Sequence, residues 1–249
     1  MEIKEYLNVP IPILLYSLQE RRTNEISLWL LLKFVSSGHF KLTRNLILRI
    51  KAVMRIQKTE TITKYLDWLL RKGFLTYNSN SKSYRLVSMR KISTGIDSKG
   101  YIGCLMYYQD LKSYKEFAFS AYVKHLIRRG RNRAKRVGST MRGTRMNRSQ
   151  YSSSFYPIPN ELLAEIFNKS IPWVVEIRKL AKEKGYLDFT YDYEKLGIPS
   201  KDIEFYKATF PEIAPKVKVF ENEIAIQIPN IHSSNLVTRV YAPIKNHHC

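Results

Sequence analysis

The chain has 249 residues, 44% apolar and 12% aromatic, and its 42 Lys+Arg against 21 Asp+Glu give a net charge of +21. That composition can bury real cores and argues against wholesale disorder, and the length fits one or two domains. No apolar run reaches the roughly 18–20 residues of a membrane helix. The best candidate, Val9–Leu18, is interrupted by Pro10 and Pro12. Glu2 and Glu5 precede it and no small-residue cleavage site follows, which argues against a secretory leader. Cys104 and Cys249 make no disulfide framework, so a reduced, cytoplasmic protein is expected, nucleoid-associated or in a host cytoplasm.

Residues 1–23 read as an N-terminal extension. Residues 25–37 are dense in apolar side chains and predict a helix capped by Asn24 and stopped at Gly38. His39–Leu42 suggests a short strand. Asn45–Arg55 carries a buried stripe of Leu46, Ile50 and Met54, and Thr59 is a candidate N-cap for a helix burying Ile62, Leu66, Leu69 and Leu70. The period then changes to two. Residues 74–77 and 84–87 flank the polar turn Asn78–Lys82, which predicts a hairpin.

Three helices and a hairpin within 24–90 resemble the winged-helix family. The run Leu66-Asp67-Trp68-Leu69-Leu70-Arg71-Lys72-Gly73-Phe74-Leu75 is similar to the ending common where a recognition helix meets its wing. This resemblance implies a DNA or partner surface at Thr59, Thr61, Thr63, Lys64, Arg71 and Lys82. The outward side of this helix, with Glu60 and Asp67 beside its basic residues, is nearly neutral.

Residues 91–113 read as a linker and 114–230 as a second unit of the same grammar. Lys115–Arg129 is helical by pattern. Tyr151–Ile158 is strand-like, and Asn160 caps a short helix. A tight link, Asn168-Lys169, leads to Ser170 and a longer helix from Ile171 that ends at Lys184-Gly185-Tyr186-Leu187. The block 160–187 resembles a helix-turn-helix, and its Lys-Gly-aromatic-Leu ending repeats that of residues 72–75 at a spacing of 112. Lys216–Phe220 and Glu223–Ile228 alternate about Glu221-Asn222, a two-residue hairpin signal. Leu187–Tyr191 is the expected partner strand, with 192–215 as a small helical excursion. Residues 231–249 read as a tail. The expected fold is mainly α with small β-hairpins (α+β): two winged-helix-type modules, with a basic arm, 128–150, inside the second.

The arm carries the chemistry. From Lys124 to Arg148 there are ten Lys/Arg and no acid: Lys124, Arg128, Arg129, Arg131, Arg133, Lys135, Arg136, Arg142, Arg145 and Arg148. Such a segment repels itself unless a polyanion neutralises it, and these residues, with Lys169 and Ser170 at the second helix, are the expected phosphate contacts. Taking Ile177 as the centre of the buried stripe puts Trp173, Val174, Leu180 and Ala181 inward. Pro172, Val175, Arg178, Lys179 and Lys182 then face outward, with Glu176 at the margin. Val175, Glu176, Arg178, Lys179 and Lys182 are therefore the expected base-reading set. Trp29, Trp68 and Trp173 are expected in the core, while Tyr107, Tyr108, Tyr114, Tyr151 and Tyr156 flank the arm where bases could stack.

No phosphate-cradling G-x-x-x-x-G-K-[ST] loop, G-x-G-x-x-G or C-x-x-C is present. His247-His248-Cys249 is a poor tetrahedral site, and Asp188, Asp192 and Glu194 read as a solvated strand end. No catalytic residue, cofactor or metal is expected. The expected partner is double-stranded DNA read in sequence, not a membrane, with a homodimer or protein partner through the first module left open. The layout resembles plasmid replication initiators and phage or mobile-element regulators. A packaging or virion component binding nucleic acid non-specifically, or an RNA- or ribosome-associated protein, would carry the same charge.

Overall fold

A computed structural model describes residues 4–97, 102–140 and 156–240. In chain order the first part holds β1 (Tyr6–Pro10), α1 (Ile11–Gln19), α2 (Thr23–Val35), β2 (His39–Phe40), α3 (Arg44–Met54), α4 (Thr59–Arg71), β3 (Leu75–Asn78), β4 (Ser83–Leu86), α5 (Met89–Ile96) and β5 (Ile102–Tyr107). A 3₁₀ turn leads into the 27-residue α6 (Tyr114–Thr140). Then follow β6 (Tyr156–Pro157), α7 (Asn160–Phe167), α8 (Ile171–Glu183), β7 (Asp188–Pro199), α9 (Ile203–Thr209), β8 (Val217–Phe220), β9 (Glu223–Ser233) and β10 (Thr238–Val240). Among the described residues the architecture is mixed α+β with three small sheets. Among the described residues no helix is long and apolar enough to cross a membrane.

Two stretches follow one plan. In the order α2, β2, α3, α4, β3, β4, the sheet runs β2-β4-β3. In the order α6, β6, α7, α8, β7, α9, β8, β9, the sheet runs β6-β9-β7, and β8 pairs with β9 as an additional fourth strand. In each, the short first strand pairs with the last. Both second helices of the helix pairs span thirteen residues and end identically. Phe74 N–H donates to the Leu69 carbonyl at 2.9 Å and Gly73 N–H to Leu70 at 3.0 Å. Tyr186 N–H donates to Ala181 at 3.0 Å and Gly185 N–H to Lys182 at 2.9 Å. The glycines sit at φ +73° and +72°, where a Cβ is strained.

Local expectations need small corrections. Asn24 lies inside α2 and donates from its amide to the Tyr65 hydroxyl at 3.2 Å instead of capping. Thr59 is the first residue of α4, and Lys58 occupies the cap position. The Glu221-Asn222 turn is tight, both residues at positive φ (48° and 66°), as a type I′ hairpin requires. However, β7 continues to Pro199, so the helical excursion spans only 200–216.

The ends and the expected linker are the larger corrections. One hydrophobic core runs through residues from Leu7 to Leu187. The N-terminal residues belong to it, with Val9, Ile13 and Leu14 fully buried and α1 packed on α6. Residues 91–113 supply α5 and β5, and β5 is the middle strand of β1-β5-β10. Val9 pairs with Cys104 on one side, and Thr238 pairs with Cys104 on the other. A strand hydrogen-bonded along both edges cannot act as a flexible tether. Residues 238–240 are likewise part of that sheet and not a loose tail. Burial pushes the Cys104 thiol up to about 12, leaving it unreactive.

Candidate nucleic-acid interface

The α7–α8 pair is built from local capping. Asn168 adopts the left-handed conformation (φ 51°) that closes α7, and Lys169 N–H returns to the Ala164 carbonyl at 3.0 Å. Ser170 Oγ accepts from Trp173 N–H at 3.4 Å, and Pro172 stands in the first turn, where its missing N–H has no helical partner.

The orientation of α8 differs from the sequence expectation. Its buried residues are Val174, Ile177, Arg178 and Ala181. At 100° per residue the stripe is centred about 50° round from Ile177 toward Arg178. Leu180 consequently rotates out to 36% exposure and Trp173 is half-buried against Phe119 and Phe167. Arg178 is 1% exposed, so it is withdrawn from the outward face. Its Nη1 donates to Asn160 Oδ1 at 2.8 Å, and its guanidinium lies over the Phe189 ring at 4.3 Å. Asn230, itself buried, turns its side-chain amide toward the same group. His232 is fully buried beside it, and burial, reinforced by the Arg178 charge, pulls its imidazole down to about 4. A planar guanidinium can stack and donate in several directions at once, which a periodicity of apolar residues does not register.

What remains outward on α8 is close to neutral. Glu176, Lys179 and Glu183 are exposed and Val175 is half-buried. Lys182 is held by Asp188 at 2.6 Å. Lys169 donates to the Gln19 carbonyl at 3.4 Å, and burial, then the Arg21 charge, lowers its ammonium pKa. Along α6, Lys124 donates to the Ser234 carbonyl and Arg128 to Thr238 Oγ1 at 3.4 Å, so both tie the helix to the last strand region. Arg129 is exposed. Arg131, Arg133, Lys135 and Arg136 stand on the last turns of α6, and Arg142, Arg145 and Arg148 lie outside the described residues. Of the tyrosines, Tyr114 is buried with its hydroxyl donating to Ser17 Oγ at 2.9 Å, which removes it as a stacking platform. Tyr156 packs over Gly130, Tyr107 is 41% exposed, and Tyr151 lies outside the described residues.

The first unit presents more charge than α4 alone suggests. Thr63, Lys64, Arg71 and Lys82 are exposed; Thr59 and Thr61 are half-buried. Between Lys41 and Lys91 the chain has thirteen Lys/Arg and two acids, a net of +11. Arg44, Arg55, Lys58, Arg85, Arg90 and Lys91 are all exposed. Among the described residues none of these thirteen cations is in a salt bridge. The signal is readable in the sequence, since residues 26–59 contain no acid at all, but the denser run on the arm masks it.

Scans against family models, curated proteins and solved structures each found no match to this chain.

Proposed function

We propose that this protein binds double-stranded DNA through two winged-helix-type units and a basic arm. The order α-β-α-α-β-β with a first-third-second sheet supports the winged-helix reading of the first unit, and the second unit repeats it with α9 and β8 inserted before its last strand. The observation that carries the function is the unpaired charge of the first unit, +11 over residues 41–91, added to +10 over 124–148. Together these account for the whole net charge of the chain.

The burial of Arg178 moves the contact surface. Base reading belongs to α4 and its hairpin, where Thr63, Lys64, Arg71 and Arg85 are exposed, and the arm holds the backbone. α8 braces the second unit and contributes Lys179 at most. A regulator or replication initiator of a mobile element, working in a host cytoplasm, fits this layout.

Fluorescence anisotropy with labelled duplexes across a salt series tests the reading. With about six phosphates engaged, log K falls against log salt with a slope near −5. A flat response, or preference for RNA in competition, rejects it. The near-neutral outward side of α8 favours a second reading, a non-specific packaging component, which would bind random and selected duplexes equally.

A further inference from the structure

The extension formed by β7, α9 and β8 is chemically unlike the rest of the chain. Residues 188–223 contain eight acids and five lysines, a net of −3 within a molecule of +21. This stretch also leaves Phe205 76% exposed, with Val219 at 50% and Phe220 at 45%. Glu204, beside Phe205, keeps 85% of its side chain in water. A wing with excess acid is repelled by phosphate, and an exposed apolar ring beside a carboxylate, as Phe205 is beside Glu204, suits a protein surface with the opposite charge.

Such a surface is present on α3. Arg44, Leu48, Lys51 and Arg55 recur at intervals of four, three and four and so share one stripe. Leu48 is 55% exposed between these cations, and no acid lies anywhere from 26 to 59. Phe205 and Leu48 are both open to solvent in the same molecule, so neither apolar side chain is covered within it, and among the described residues Glu204 is held only by Lys207, at 3.6 Å.

We propose that the acidic, aromatic extension of one copy docks on the α3 stripe of a second copy. Phe205 packs against Leu48, and Glu204 meets the flanking cations. The two surfaces differ, so the contact is head-to-tail and continues from copy to copy unless the rotation closes a ring. It leaves α4 and its hairpin uncovered.

Sedimentation velocity on the full, nuclease-treated chain tests this without reference to DNA binding. Wild type forms concentration-dependent oligomers that weaken at high salt. Phe205→Ser and Leu48→Ser each raise the dissociation constant about tenfold or more. Both side chains are exposed, and unchanged circular dichroism verifies that the variants fold. The mixture is decisive. The Phe205 variant keeps its stripe and the Leu48 variant keeps its extension, so equal amounts form pairs although each alone stays monomeric. A wild-type chain that remains monomeric at every concentration, an oligomer insensitive to either substitution, or a mixture without pairs overturns the proposal.

Discussion

Arg178 donates to Asn160 across 2.8 Å, tying the middle of α8 to the first turn of α7. The same guanidinium covers Phe189 on β7, so one side chain fixes the angle between the helix pair and its sheet. Arg178→Ala should lower stability by about 2–3 kcal/mol, the range for emptying a packed and hydrogen-bonded core position. Lys at that position should not restore it, because a single ammonium cannot stack and fork together. Lys179→Ala, on the exposed side, should stay within about 0.5 kcal/mol. Urea unfolding of the three variants checks the contrast.

His232 gives the pH dependence. Its folded pKa of about 4 lies below the ordinary histidine value of 6.5. The unfolded chain therefore takes up a proton below about 6.5 while the folded chain does not. Stability falls as the pH drops from there toward 4, by about 1.4 kcal/mol for each pH unit crossed. His125, lowered to about 4 by burial and by Arg129 and Arg128, acts in the same direction. Asp110, whose carboxyl is raised by burial, opposes them in part, because its folded form protonates first. Urea midpoints of wild type and His232→Gln at neutral pH and near pH 4.5 should show the smaller acid loss in the variant.

Charge removal on the first unit should change the salt response. Lys64→Ala, Arg71→Ala and Arg85→Ala each remove an exposed, unpaired cation from α4 or the hairpin. Each should reduce the log–log salt slope by about 1 if it contacts a phosphate. If instead it reads a base, it should cost about 1–3 kcal/mol on a selected site and little on random duplex. Anisotropy titrations at several salt concentrations separate the two.

Gly73→Ala and Gly185→Ala should behave as a matched pair. Nothing lies within 4 Å of either added methyl, so the penalty comes from the positive φ alone. Left-handed strain of about 1–2 kcal/mol, offset by the stiffer unfolded chain, leaves a net loss near 1 kcal/mol at each site. Thermal unfolding that differs widely between the two would mean that the junctions are not equivalent.

Gly130 differs, because an added Cβ would stand 2.3 Å from the Tyr156 ring. Gly130→Ala must displace that ring and should destabilise by about 1–3 kcal/mol. Adding Tyr156→Ala should recover part of the loss, a non-additivity measured by a double-mutant cycle.

Local elements were legible wherever pattern and punctuation coincide. The apolar stripe of α4, the Gly73 and Gly185 stops and the Glu221-Asn222 turn all follow from neighbouring residues. The face of α8 was not, because apolar spacing ranks Leu180 above Arg178, and it takes the distant partners Asn160, Phe189, Tyr191 and Asn230 to make the arginine the better core residue. Nor could spacing reveal that Val9 and Thr238 both pair with Cys104. That pairing joins residues 95 apart on one side and 134 apart on the other, and no local signal encodes it.

Because β5 takes one neighbour from residues 6–10 and the other from 238–240, its sheet closes only after residues 238–240 have been synthesised. The seam holding the N-terminal strand stays open along one edge until those residues emerge from the ribosome. A nascent chain stalled before residue 238 would expose Ile102–Leu105 as a sticky border, which makes an interruption of synthesis there hazardous.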